Sequence, residues 1–213
     1  MAKDKDLQQR FNNGEIIAFD KPTVILASGS KARAKKFEEK GIAFIQIVSN
    51  FDDSDINFDF PHEGITKRQE KQYVKSMALA KLEPFIGKIK NGIIITADTT
   101  VLCGGRILEK PITPQKCREQ HEWLRGKTAL VYTGIAMHFN GKTICKTPKI
   151  KYKFKIIPDK IIEHISNNEP ETLQRAGFCR SGAVGDYCEI KSKLKTGDDV
   201  LAYHVTKMLK KLP

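Results

Sequence analysis

The run from Gly92 to Cys103, Gly-Ile-Ile-Ile-Thr-Ala-Asp-Thr-Thr-Val-Leu-Cys, constrains the fold more than any other part of the chain. Its first half is continuously apolar and rich in β-branched residues, as in a strand buried on both faces. Such a strand needs a layer of structure on each side, which places it inside a sheet. Residues 23–27, Thr-Val-Ile-Leu-Ala after Pro22, read as a second buried strand, and residues 42–48 as a third. Helical signals lie between the strands. Lys31 to Lys40 reads as a helix with Ser30 at its N-cap and Gly41 as its stop. In Thr66 to Glu83, Tyr73, Met77 and Ala80 recur at helical spacing with Val74 and Ala78 beside them. Thr113 to Leu124 carries a cap at Thr113 and a proline at the first helical position, Pro114. Asn140-Gly141 between two apolar runs predicts a hairpin. A short helix over Pro158 to Ser166 and a closing helix over 198–211 complete the pattern, while 176–190 is Gly-rich and ambiguous.

Strands alternating with helices, plus one hairpin, predict an α/β fold with a mixed sheet. The 213 residues suit one domain, or one domain with two lobes. Residues 1–20 read as a loosely attached leader and 21–213 as a single domain. The chain start is polar and lacks the apolar core of a signal peptide. No apolar run approaches the roughly 18 residues of a membrane span. Cys103, Cys117, Cys145, Cys179 and Cys188 are scattered and form no CxxC pair, which argues for reduced thiols rather than a zinc site. A cytosolic protein is the expectation.

The formal net charge of +12 favours polyanionic partners: nucleic acid, nucleotides or anionic membranes. The lysines are spread along the whole chain, with no RNP pattern, zinc finger or basic block, so nucleic acid has no specific support. A solvated lysine-rich surface accounts for the charge and is compatible with a phosphate pocket.

Four features could carry chemistry. Ser28-Gly29-Ser30-Lys31-Ala32-Arg33 joins a strand to a helix. Small residues allow close backbone approach, the helix N-terminus offers N–H groups, and Ser28, Ser30 and Lys31 or Arg33 add hydroxyls and charge, which suits phosphate. The run matches neither Walker A nor the Rossmann glycine spacing, and a plain strand–turn–helix joint uses the same residues. Asp98 sits late in an apolar strand, where a carboxylate could bind a hard cation, activate water, or cap a turn. Lys110 before Pro111, and Lys81 near a helix end, could meet phosphate or lie on the surface. Asp52-Asp53-Ser54-Asp55 could supply a second metal ligand or form a solvated acidic loop. The dispersed histidines His62, His121, His138, His164 and His204 give no local support to a triad.

In this order the segments resemble the Maf family of nucleoside triphosphate pyrophosphatases, relatives of the inosine triphosphate pyrophosphatases. Ile25-Leu26-Ala27-Ser28-Gly29-Ser30 is similar to that family's LASxS opening. Tyr73-Val74 through Ala78-Leu79-Ala80-Lys81 resembles its YVxxLAxxKA helix, and Ala97-Asp98-Thr99-Thr100-Val101 with Gly105-Arg106-Ile107-Leu108-Glu109-Lys110-Pro111 its ADTxV…GxILGKP. Tyr132-Thr133-Gly134-Ile135-Ala136 resembles VxTGVA. The resemblance covers residues 23–140 well and the remainder weakly. It implies a mixed twisted sheet flanked by helices, two lobes and a central cleft, and cytoplasmic hydrolysis of a nucleoside triphosphate to monophosphate and pyrophosphate with Mg2+ or Mn2+. The nucleotides implied are noncanonical, modified or pyrimidine ones. It implies phosphate contacts from Ser28, Ser30 and Arg33, charge neutralisation by Lys81 and Lys110, and metal or water at Asp98 with Asp53 sharing the metal. Ser181 falls where the family often has a glutamine that contacts base or phosphate. A homodimer stays open.

The chain departs from the pattern at Lys31-Ala32-Arg33, where the family has a proline and paired arginines, at Asp53 for Glu, at Arg125-Gly126-Lys127-Thr128-Ala129, and at Ala176-Gly177-Phe178-Cys179-Arg180-Ser181-Gly182. Two rival readings follow: a nucleotide-binding regulator with little catalysis on the same fold, and a basic nucleic-acid-binding protein.

Overall fold

The computed structural model describes residues 2–51 and 63–212, with side chains from residue 5. The described elements run α1 (Ala2–Asn12), β1 (Ile17–Leu26), α2 (Lys31–Glu39), β2 (Ile45–Gln46), α3 (Lys67–Ala80), β3 (Ile89–Cys103), β4 (Arg106–Ile107), α4 (Pro114–Leu124), β5 (Thr128–Phe139), β6 (Lys142–Lys146), β7 (Lys149–Phe154), α5 (Asp159–Asn168), α6 (Pro170–Leu173), β8 (Cys188–Ile190) and α7 (Gly197–Leu209). The sheet order is β2-β1-β3-β5-β7-β8, with β4 on β3 and β6 on β5. β1 is parallel to β2 and β3, and the remaining pairings are antiparallel, so the sheet is mixed as expected.

The Gly92–Cys103 run lies inside the long central strand β3. It is paired with β5 from Ile94↔His138 to Cys103↔Ala129. On its other edge β1 covers it as far as Ile95, and β4 resumes pairing at Leu102. The two long strands therefore run through both lobes. β1, β2 and β6 widen the sheet at one end, and β4, β7 and β8 widen it at the other. Between Ile95 and Leu102 one edge of β3 lacks a strand partner, and the cleft opens there.

Side chains alternate across β3 with period two. Ile94 and Leu102 pack toward α3, in clusters with Ala78 and Leu82 and with Val74 respectively. Ile93, Ile95 and Ala97 pack on the opposite face with Phe37 of α2 and Leu201, Ala202 and Val205 of α7. Val101 and Cys103 join the second-lobe core with Cys117 of α4 and Ile162 of α5. Both faces are covered, which is why the sequence there is apolar without alternation.

Local chemistry fixes the ends of the elements. Ser30, Thr66, Thr113 and Thr196 each accept a hydrogen bond from the third helical N–H, and Thr66 with Gln69 completes a capping box. The predicted hairpin is present: Asn140 and Gly141 have φ of 48° and 73°, the left-handed pair that a two-residue turn requires. Its return strand breaks at Thr147-Pro148, so β6 and β7 pair with successive halves of β5.

Two expectations are corrected. The segment read as a loose leader is built into the molecule. α1 buries Phe11, which stacks on Phe85 at 4.6 Å between ring centroids, and Ile17 and Ala18 pair with β3. Gln8 locks the contact by donating to Val48 O at 2.8 Å and accepting from Val48 N–H at 2.7 Å. The polar majority of this segment hides the few apolar residues that dock it. The third strand shrinks from residues 42–48 to Ile45–Gln46, because only those residues reach β1 in register.

Gly134 marks the tightest approach of helix to sheet. It pairs with Asp98, and a Cβ at this position would stand 1.9 Å from Val74 O in α3. A backbone oxygen in a packed helix has nowhere to retreat. Gly134→Ala should therefore lower the unfolding free energy by about 3 kcal/mol, a fall in Tm on the order of 10 °C at this chain length. Thermal unfolding of the variant against the parent checks this.

Candidate active site

The cleft between the lobes has a volume of about 1480 Å3 and is lined from both sides. The first wall is the β1–α2 joint. Ser28 Oγ accepts hydrogen bonds from Ser30 N–H at 3.3 Å and from Arg33 Nη1 at 3.1 Å. Ser30 Oγ caps α2 by accepting from Arg33 N–H at 3.3 Å. Ser28, Gly29, Ser30 and Lys31 line the cleft, with the N-terminus of α2 beneath them. Gln46 donates to Ser28 O and holds the turn from behind.

Arg33 ties three elements together. Its guanidinium donates to Ala97 O at 2.8 Å, on the edge of β3 that lacks a strand partner, and lies 3.7 Å from Asp198 at the start of α7. The residue therefore substitutes for a missing strand as well as lining the cleft. The N-terminus of α7 closes against the same point: a Cβ at Gly197 would come within 3.0 Å of Thr99 Cγ2.

Asp98 lies on the α3 face of β3. Lys81, the C-cap of α3, donates to its Oδ1 at 2.6 Å, and the two side chains are 20% and 13% exposed. The pair is shielded enough for its charges to matter and open enough to meet a ligand. Its neighbours on the same face are also polar. Thr96 Oγ1 donates to Ala78 O at 2.6 Å, and Thr100 Oγ1 donates to Glu70 Oε1.

Lys110 lines the cleft from the second lobe and is exposed. The loop that carries it is fastened on both sides. Leu108 N–H donates to Val101 O at 2.7 Å, Gly177 N–H and Gln120 donate to Glu109 O at 3.3 and 2.9 Å, and Ile112 N–H donates to Leu173 O at 3.1 Å. The structure thus gathers Ser28, Ser30, Arg33, Lys81, Asp98 and Lys110 around one cleft. Asp53 and the rest of the acidic run fall outside the described residues. Ser181 is exposed, with its Oγ 3.2 Å from Cys179 Sγ, and its neighbour Arg180 lines the cleft instead. Among the described residues no group of three or more His, Cys, Asp or Glu is arranged to hold a metal ion.

Sequence reasoning missed Asp198, Arg180 and Glu70. Thr196-Gly197-Asp198-Asp199 does signal a capped helix start, but no sequence pattern says that this start meets a loop near residue 30. Glu70 is the more telling omission. It is fully buried on α3, with Oε1 bonded to Thr100 and Oε2 lacking a hydrogen-bond partner among the described residues. Burial pushes its carboxyl up to about 7, the Thr100 hydrogen bond opposes this, and the Asp98 charge adds to it. The native state thus binds a proton that the unfolded chain releases near pH 4.5. Stability conferred by that proton is present in acid and is lost as pH rises toward 7. Glu70→Gln should remove this loss. Urea unfolding at pH 5 and pH 8 should show the parent falling relative to the variant by roughly 3 kcal/mol.

No described helix is long and apolar enough to cross a membrane. A nucleoside triphosphate pyrophosphatase from Microcystis aeruginosa is 32% identical over 78% of this chain and 82% of its own length. A dTTP/UTP pyrophosphatase from Clostridium beijerinckii is 36% identical over 76% and 83% respectively. A solved HAM1 protein from Coxiella burnetii aligns at a TM-score of 0.49 and 12% identity, over 89% of this chain and 99% of that one. The family model described as Maf-like protein matches residues 23–191, which takes in the cleft lining from Ser28 to Arg180, and the chain belongs to the Maf-like protein family.

Proposed function

We propose that this chain hydrolyses nucleoside triphosphates to the nucleoside monophosphate and pyrophosphate. The observation that carries the reading is the Asp98–Lys81 pair in a cleft that also presents Lys110 and the N-terminus of α2. Relatives named nucleoside triphosphate pyrophosphatase and dTTP/UTP pyrophosphatase support it, and support pyrimidine or modified nucleotides as the substrate class.

Phosphoryl transfer depends mainly on positioning and charge neutralisation. The phosphate chain is received by Ser28, Ser30 and the N–H groups opening α2, where the helix dipole favours negative charge. Arg33 holds this joint against β3 and adds its own charge. Water then adds across the anhydride between the α and β phosphates. One P–O bond forms, the bridging P–O bond breaks, and pyrophosphate leaves. Asp98 accepts the proton lost by the attacking water. Lys81 and Lys110 offset the charge that gathers on the bridging and terminal oxygens.

A hard divalent cation binds through one or two carboxylates, water and substrate phosphates rather than through a complete protein cage. Asp98, which lines the cleft beside Lys81, fits such a role, and Asp53, which lies outside the described residues, would share it. Bound Mg2+ or Mn2+ would supply further neutralisation of phosphate charge. The altered Lys31-Ala32-Arg33 segment keeps open a second reading, a nucleotide-binding regulator with little turnover.

Pyrophosphate release should be measured across a panel of nucleoside triphosphates with Mg2+ or Mn2+. Asp98→Asn is expected to lower turnover by about 10²- to 10⁴-fold with the fold intact. Turnover equal to the parent would remove Asp98 from the mechanism. Nucleotide-dependent thermal stabilisation without any release would favour the regulator.

A further inference from the structure

Arg180 lines the cleft in the segment where the chain leaves the family pattern. It is half-buried, and its Nε is buried without a hydrogen-bond partner. Among the described residues its guanidinium makes no hydrogen bond and no ion pair. Of the carboxylates that line the cleft, Asp98 is held by Lys81, Asp198 lies against Arg33, and Glu109 and Glu171 are exposed. Tyr152 and Cys188 feel the Arg180 charge, yet burial pushes both of their acid groups up, so neither provides an anion at neutral pH. A half-buried guanidinium with no hydrogen bond and no ion pair is costly, and it is tolerated where a ligand supplies the charge.

The surroundings make room for this side chain and fix the turn that carries it. A Cβ at Gly185 would stand 2.5 Å from Arg180 Nη1 and 2.4 Å from Arg180 O, so the absence of a side chain at Gly185 makes the space. The turn is fixed by Gly182 N–H donating to Cys179 O at 3.0 Å and Gly185 N–H donating to Gly182 O at 2.9 Å. Glu169 pins it from the far side, accepting from Ala183 N–H at 2.7 Å. The result is a planar, multi-donor cation carried on a fixed turn and facing a cleft, which suits the oxygens of a phosphate.

We infer that Arg180 is a substrate-binding residue of the second lobe that pairs with the phosphate chain of the nucleotide. The inference rests on the nucleotide reading above and adds to it a contact from the wall opposite the β1–α2 joint. It gives the second lobe a hold on the triphosphate that does not depend on Ser181.

Arg180→Gln and Arg180→Lys test it, with inorganic tripolyphosphate as a probe that carries phosphates and no base. Since Arg180 bonds no protein group, both variants should keep the parental Tm or exceed it. In Arg180→Gln, KM for UTP and the inhibition constant of tripolyphosphate should both rise about tenfold or more, with Arg180→Lys recovering part of each. A large fall in Tm with unchanged kinetics would overturn the proposal in favour of a structural role. A raised KM with an unchanged tripolyphosphate constant would overturn it in favour of a base or sugar contact. If the parent hydrolyses no nucleotide, the catalytic reading fails separately. Thermal stabilisation by tripolyphosphate in the parent but not in Arg180→Gln would still support Arg180, and equal stabilisation of both would overturn it.

Discussion

The antiparallel ladder between β3 and β5 is the constraint on which the rest depends. It runs from Ile94↔His138 to Cys103↔Ala129 and is shared by both lobes. On the far edge of β3, β1 ends and β4 begins several residues apart. Edge N–H and C=O groups in that interval must find partners elsewhere. Arg33 takes Ala97 O, and the remaining opening is the cleft. The site is thus a consequence of sheet topology: the ladder stays continuous where its flanking strands do not.

Period-two alternation then decides which side chains enter the opening. Thr96, Asp98 and Thr100 share the face packed by α3, a row of polar groups within an otherwise apolar strand. Each finds a partner on the helix or at its end: Ala78 O, Lys81 and Glu70. Burying polar groups in this way is tolerable only with such pairing. The close seat of α3 is made possible by Gly134, which lies beside Asp98 in the ladder. Packing and chemistry are therefore coupled: the glycine that admits the helix also brings Lys81 to the carboxylate.

Much of the fold was readable from local signals. The apolar run of β3, the helix caps at Ser30 and Thr113, and the Asn140-Gly141 turn each have a short-range cause, and each is present in the structure. The docking of α1 was not readable, because Phe11 is one aromatic residue in a polar stretch and its partner Phe85 is distant in sequence. The brevity of β2 was not readable either, since strand length there depends on how far β1 offers partners.

The sequence by itself determined the residue chemistry of the site: a small, hydroxyl-rich turn before a helix, a carboxylate in a buried strand, and lysines at the ends of a helix and a loop. Those features follow from composition and spacing over a few residues. Only the tertiary structure decided that these pieces share one cleft, that Asp198 and Arg180 join them, and that Glu70 is buried beside them. The physical reason is range. Caps, turns and alternation act between near neighbours in the chain, whereas a cleft is formed by strands that stop, helices that seat on a glycine, and charges drawn together from segments far apart in sequence.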